Sequence, residues 1–324
     1  MKERWQRWLA FVSEREDGRV LAIVRILIGL VAFGELFEMV MYGMVDTVWV
    51  ARAHGGVFTL GGNWLVRALG GPTHGVVWGL MVFAMIGSLT LAAGLGGRLT
   101  PFVTLHAYAA LTNLNGQAGG GYDPLLTNAM WLCVIGNAST TLSLDARLKT
   151  GSFTGGGEVF AIARRLFVFQ LLIVYGTTGL QKLSPVWTPV EGYSALYWVF
   201  QEPTWNRFDM KWTAYVYPLT QVASAITWHW ELSAFCMFLY LWYRRTPERG
   251  GRLRRLANRY DLRLPYLAVG VMLHLGILIA LCVGPFSYAS LAYYPAFFSF
   301  AELSNWRALR LRLPPSERPS TAAA

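Results

Sequence analysis

The feature that most constrains this chain is the recurrence of apolar segments about as long as a bilayer is thick. A helix needs about 20 mostly apolar residues to cross the hydrocarbon core. Eight segments approach that requirement: 20–45, 73–95, 100–115, 124–144, 165–183, 217–243, 265–283 and 286–303. The last two come from one run, 264–301, that holds no Asp, Glu, Lys or Arg. It is too long for one span, and Gly284-Pro285 is its natural break, because proline cannot continue a helical hydrogen-bond ladder. Apolar residues make up 54% of the 324 positions and charged residues 14%, against about 25% charged in a soluble domain. So little charge cannot cover a soluble surface, which excludes a soluble enzyme, a disordered chain and a coiled coil. The expected fold is all-α: a polytopic integral membrane helical bundle of about eight transmembrane helices.

The net charge of +10 follows topology rather than a nucleic-acid surface. Basic residues sit in short runs between apolar segments, not along one continuous face, so no nucleic-acid partner is expected. With eight spans, most of the 28 Lys and Arg fall on one side, in the N-terminus, the loop 147–165, the Arg-rich loop 244–263 and the tail. The other side keeps Arg52, Arg67, Arg207 and Lys211. Cytoplasmic loops carry the excess of Lys and Arg. A multi-pass protein of the cell membrane is therefore expected, with both termini cytoplasmic and the Arg-rich loop near anionic headgroups.

Residues 1–19 read as an amphipathic cytoplasmic segment, 20–303 as the transmembrane domain and 304–324 as a basic, disordered cytoplasmic tail. The apolar stretch after residue 19 is too long, and lacks the small-residue cleavage site, for a signal peptide. Two outer loops, 46–72 and 184–216, are rich in Gly and Trp, as ordered caps or partly re-entrant segments would be. Cys133, Cys236 and Cys282 all fall in apolar stretches, and an odd count with no CxxC pair offers neither a disulfide framework nor a zinc site. They read as small buried apolar residues.

Ionisable groups inside spans are costly and mark candidate function. Arg25 lies about one turn into the first span and is expected to snorkel to the cytoplasmic face. Glu35 and Glu38 share a helix face and would pair with a basic residue of another span or sit near the outer interface. Glu302 is expected at the interface near Arg307. His229 and Glu231, two apart, point to different faces. His106, His229 and His274 show neither metal-ligand spacing nor a facing pair for haem, so no metal is expected. Lys182, at the outer end of the fifth span, has two readings. Desolvation disfavours the charged form of an amine, which would let it act as a base. Alternatively it snorkels, or it pairs with Glu231 and stays charged.

The surroundings of Lys182 carry a resemblance. Ile173-Val174-Tyr175, Gly179-Leu180-Gln181-Lys182-Leu183, Trp187 and Glu191-Gly192-Tyr193-Ser194 resemble the membrane domain of vitamin K-dependent gamma-carboxylases, the HTTM (horizontally transferred transmembrane) domain. Arg25 with Gly29, Asp123, Ser143-Leu144-Asp145, Glu231-Leu232-Ser233-Ala234 and His274 with Phe286-Ser287-Tyr288 resemble other parts of that domain, so that the likeness runs over about 20–303. The resemblance implies that Lys182 is the base that acts on reduced vitamin K or another membrane quinol, with Glu231 and His274 as supporting catalytic groups. Trp187, Gly192 and Tyr175 are then the expected substrate-binding residues. Gln181 stands where the carboxylases carry a second lysine, and Thr140 where they carry the histidine of the epoxidation step. Small stand-alone members of the superfamily help to mature a secreted peptide beside a small partner. Three functions thus stand side by side: a carboxylase-like enzyme working on a quinol or lipid-borne substrate, a non-enzymatic accessory for peptide maturation or export, and a small-solute transporter. The expected partners are the lipid bilayer and a peptide substrate or small partner protein. The transporter has least support, since no internal repeat is visible.

Overall fold

A computed structural model describes residues 2–305 of the chain. The basic tail from residue 306, including Arg307, lies outside the described residues. Most described residues are helical. Among the described residues, four helices are long and apolar enough to cross a membrane: Arg19–Met41, His74–Ala93, Ala161–Gln181 and Arg263–Ala280.

The other expected spans differ, each for a local reason. Leu99–Thr112 and Tyr122–Gly136 have 14 and 15 residues, which at about 1.5 Å per residue fall short of a core about 30 Å thick. The sixth segment divides at Ser233 into Tyr217–Leu232 and Ala234–Arg245. There the Ser233 hydroxyl donates to the Trp230 carbonyl at 2.7 Å, the kind of back-bonding that disturbs a helix. The eighth is three short pieces, Phe286–Ala292, a 3-10 turn at Tyr294–Phe297, and Phe300–Ser304. Pro295 cannot donate to the ladder, and Ser299 with Glu302 forms a capping box that starts a new helix. Of the expected spans, about eight in all, four are thus single long apolar helices, and the others are shortened or divided.

The described chain divides into two compact units. In the first (residues up to 171, with 204–208 and 274–297), Arg19–Met41 packs against His74–Ala93, which packs against Leu99–Thr112, and that in turn against Tyr122–Gly136. Gly29 makes the first contact close, since a Cβ there would lie 2.7 Å from both the Ser88 carbonyl oxygen and the Ala92 nitrogen. Val24, Ile28 and Leu36 are fully buried in this layer, as are Val77, Met81 and Ala84. A two-stranded antiparallel ribbon pairs Arg15–Asp17 with Glu158–Phe160, Glu16 opposite Val159.

Arg25 does not snorkel. It is fully buried and donates to the carbonyls of Ala138 at 3.0 Å, Leu142 at 2.7 Å and Ala92 at 3.2 Å. Those oxygens lie near the C-terminal ends of the His74–Ala93 and Tyr122–Gly136 helices and in the turn that follows, where helix carbonyls lack partners and the dipole favours a cation. Inside the protein they replace the water that the expected interfacial position would have supplied. Of the cysteines, Cys133 is buried while Cys236 and Cys282 are exposed. In a bilayer the outer face of a helix is apolar too, so an apolar stretch does not separate core from lipid-facing positions.

The second unit (172–203, 209–273 and the residues from 298) contains the end of the Ala161–Gln181 helix. Here Ala195–Gln201 packs on Tyr217–Leu232, and the Leu196 amide donates to the Ser224 hydroxyl at 2.9 Å. Trp230 stacks on Tyr266 and tilts against Tyr175, at centroid distances of 5.0 and 4.6 Å. Arg263 bonds Asp261 at 2.6 and 2.8 Å and Glu302 at 2.6 and 3.2 Å, and Arg244 reaches Asp261 at 3.3 Å. Glu302 is thus a member of a charge network in this unit, and its expected neighbour Arg307 lies outside the described residues.

Candidate functional site

Lys182 follows the last residue of the Ala161–Gln181 helix, and Glu231 occupies the last turn of Tyr217–Leu232. The Lys182 amine donates to Glu231 Oε1 at 2.6 Å and also to Oε2. The two side chains are only 16% and 8% exposed, so the pair is formed largely out of contact with water. Gly179 brings the two helices together, because a Cβ there would lie 3.0 Å from the Cβ of Glu231. Its carbonyl accepts a bond from Trp228 Nε1 at 3.1 Å, which ties the helices a second time. The Lys182 amine also lies 4.9 Å from the centre of the Trp187 ring, within reach of a cation–π interaction.

The loop beyond Lys182 is ordered by short local bonds. Trp187 ends a 3-10 turn that opens with Pro185, and the Thr188 hydroxyl accepts from the Val190 amide at 3.3 Å to start the next turn. Gly192 has φ +62°, a left-handed conformation that suits glycine. Its carbonyl accepts from Gln221 Nε2 at 2.5 Å. Gly192 and Tyr193 thereby hold the loop on the Tyr217–Leu232 helix, Tyr193 facing Trp228 at 6.4 Å between ring centres. Tyr175 is buried against Trp230, where it packs the interior of the unit.

The structure thus joins Lys182, Glu231 and Trp187, with Gly192 and Tyr193 on the same loop. His274 belongs to the first unit, Lys182 and Glu231 to the second. Its ring is fully buried, sits 3.2 Å from the Ser287 hydroxyl and tilts against Phe286 at 5.6 Å. His229 is exposed beside buried Glu231, as their two-residue spacing implies. Glu35 accepts a bond from Tyr108, which also contacts Asp123 at 2.9 Å. For Glu35 this partnership stands where the sequence offered a basic partner, while Glu38 is exposed. Gly179, Gln221 and Trp228 were not legible as site residues, though a glycine one turn before an intramembrane lysine is a usable signal for close helix approach. Among the described residues, no group of three or more His, Cys, Asp or Glu side chains could hold a metal ion.

Residues 14–246, well over half of the chain, match the HTTM domain. The chain belongs to the HTTM domain family. Neither a curated protein nor a solved structure matches it. The HTTM match includes both Lys182 and Glu231 and ends before His274, so the family assignment rests on the segment that carries the buried pair. Together with the four long apolar helices, it makes this an HTTM-type membrane protein.

Proposed function

We propose that this HTTM protein takes a proton from a lipid-borne acid of the quinol class, with the Lys182–Glu231 pair as the proton acceptor. The observation that carries the reading is the pair itself: an amine and a carboxylate bonded through both oxygens and mostly shielded from water. A quinol is a flat aromatic ring bearing acidic hydroxyls, and the groups here fit one. Trp187 offers a ring face, while Lys182 and Glu231 offer the polar atoms that a hydroxyl needs. When bound, such a quinol supplies the proton and a ring that O2 oxidises.

The chain's own part is acid–base work. Removing both charges from water weakens the preference for the ion pair over the neutral amine and neutral acid. A proton shifted along the Nζ–Oε1 bond leaves Lys182 as an amine able to receive another. Uptake of one proton turns the pair from neutral to cationic overall, and the Trp187 face favours that cation. Glu231 also fixes where the amine points, which matters because a base must reach the proton it removes.

The test uses the full chain in nanodiscs with reduced vitamin K and O2, quinone and epoxide products being followed by mass spectrometry. Lys182→Ala and Glu231→Gln should each lower turnover on the order of 100-fold, the usual scale of a positioned acid–base group. Equal turnover in Lys182→Ala, or none in the folded parent, overturns the reading. One observation favours the accessory reading in the second case: the Thr140 hydroxyl, at the position of the carboxylase histidine, donates to the Asn137 carbonyl at 2.7 Å and supplies no imidazole. A pull-down for a small peptide partner would then be the next measurement.

A further inference from the structure

The first unit contains a cavity of about 590 Å3 along the Arg19–Met41 helix. Its lining changes character along that helix. Leu27, Leu30 and Val31 form an apolar stretch, then come Gly34, Glu35 and Glu38, and Tyr42 follows just past the helix end. From Leu27 to Glu38 the rise is about 16 Å at 1.5 Å per residue. The far wall brings Arg207, Gly284 and Tyr288. Leu30, Tyr42 and Tyr288 are exposed, and so are Glu38 and Arg207, so the apolar part opens sideways and the charged part lies at the helix end. Gly34 leaves a gap in this wall, since a Cβ there would meet nothing within 4 Å.

We infer that this cavity binds a phospholipid whose headgroup carries a primary ammonium. The apolar stretch lies on a helix long enough to span a bilayer, so an occupant with an acyl tail can keep that tail in the hydrocarbon. At the helix end, the carboxyl groups of Glu35 and Glu38 and the guanidinium of Arg207 line the same space, and exposed Glu38 and Arg207 supply the charge complement of an ammonium and a phosphate. Glu35 is 8% exposed and held by Tyr108, which fixes its carboxylate at the junction of tail and head. Arg207 is aimed by its own Nε, which donates to the Leu281 carbonyl at 2.9 Å, and guanidinium groups suit phosphate oxygens. Three N–H donors on a primary ammonium can satisfy Glu35 and Glu38 together. A quaternary ammonium has none, and a glycerol headgroup brings no positive charge.

The protein, purified and stripped of lipid, is titrated with phosphatidylethanolamine, phosphatidylcholine and phosphatidylglycerol of identical acyl chains, and bound lipid is counted by native mass spectrometry. Phosphatidylethanolamine should bind about ten-fold more tightly than either of the others, the scale of one charge-assisted hydrogen bond. At Gly34 a Cβ meets nothing within 4 Å and Glu38 is exposed, so Gly34→Leu and Glu38→Gln should both fold. Each should weaken phosphatidylethanolamine binding about ten-fold. Equal affinity for the three lipids overturns the inference, as does unchanged binding in both variants. Tighter phosphatidylglycerol binding also overturns it and assigns the cavity to an anionic lipid at Arg207.

Discussion

The amine of Lys182 donates to both carboxylate oxygens of Glu231, one of them at 2.6 Å, across 49 positions of sequence. Gly179 makes the approach possible, and the Trp187 ring lies on the same amine. With little water about them, each charge depends on the other for most of its compensation. That dependence separates a site of this kind from a surface ion pair, which is worth about 0–1 kcal/mol.

Single and double replacements of the pair should therefore differ in kind. Lys182→Met alone strands a carboxylate and Glu231→Leu alone strands an ammonium, each at a cost of about 3–5 kcal/mol. The double variant Lys182→Met/Glu231→Leu removes both charges and should unfold close to the parent temperature in detergent. Costs that simply add in the double variant would contradict the buried-pair account.

Arg25 makes a second prediction. Its three carbonyl partners come from residues 92, 138 and 142, and Leu142 holds a left-handed φ of +47° that a side-chain-bearing residue adopts only when its surroundings fix it. A lysine carries a point charge in place of a planar fork and cannot span the three oxygens. Arg25→Lys should lose about 3 kcal/mol, since buried acceptors left unmade cost about 1–3 kcal/mol each. Denaturant unfolding in detergent measures it, and a parent-like midpoint would count against the role given to Arg25.

The Arg25 case also shows where the sequence stops being readable. Its charge and depth in the first span are visible, but its acceptors are backbone oxygens far along the chain, and no side-chain pattern marks a carbonyl as a partner. Lys182 and Glu231 were legible as candidates because charge is rare inside spans. Their meeting depends on a helix contact at Gly179 that composition does not encode. The long apolar helices were legible from hydropathy, whereas their breaks were local. Pro295 and the Ser299-Phe300-Ala301-Glu302 capping box are sequence signals that an apolar average hides, and the Ser233 break rests on one hydroxyl-to-carbonyl bond. Glu35 and Glu38 share a face in the sequence, yet Tyr108 and Arg207, which complete their surroundings, carry no pattern that ties them there.

Gly29 gives a third prediction. A Cβ at this position would press on the Ser88 carbonyl oxygen and the Ala92 nitrogen at 2.7 Å, both of them backbone atoms that cannot turn aside. Gly29→Leu should cost about 1–3 kcal/mol or more, the range for an overpacked core. Gly34→Leu, five residues along the same helix but facing open space, should leave the unfolding temperature unchanged or raise it, because glycine is a poor helix former. Equal destabilisation by the two would remove the packing argument.

The charge network around Arg263 gives a prediction for acid stability. Burial alone would raise the Asp261 and Glu302 carboxyls, but the Arg263 guanidinium bonded to both outweighs it. Asp261 is held below the ordinary carboxylate range and Glu302 at about 2. Unfolding returns both groups to about 4, so between those values the unfolded chain binds more protons than the folded one. Their contribution to stability is then complete above about pH 5 and is lost as pH falls through the folded values. Glu302→Gln deletes one share of it. The variant should unfold at a lower temperature than the parent at pH 7, and its unfolding temperature should fall less steeply between pH 5 and pH 3. Thermal unfolding across that range decides the matter: parallel curves for parent and variant would show that Glu302 is not part of the acid-sensitive network.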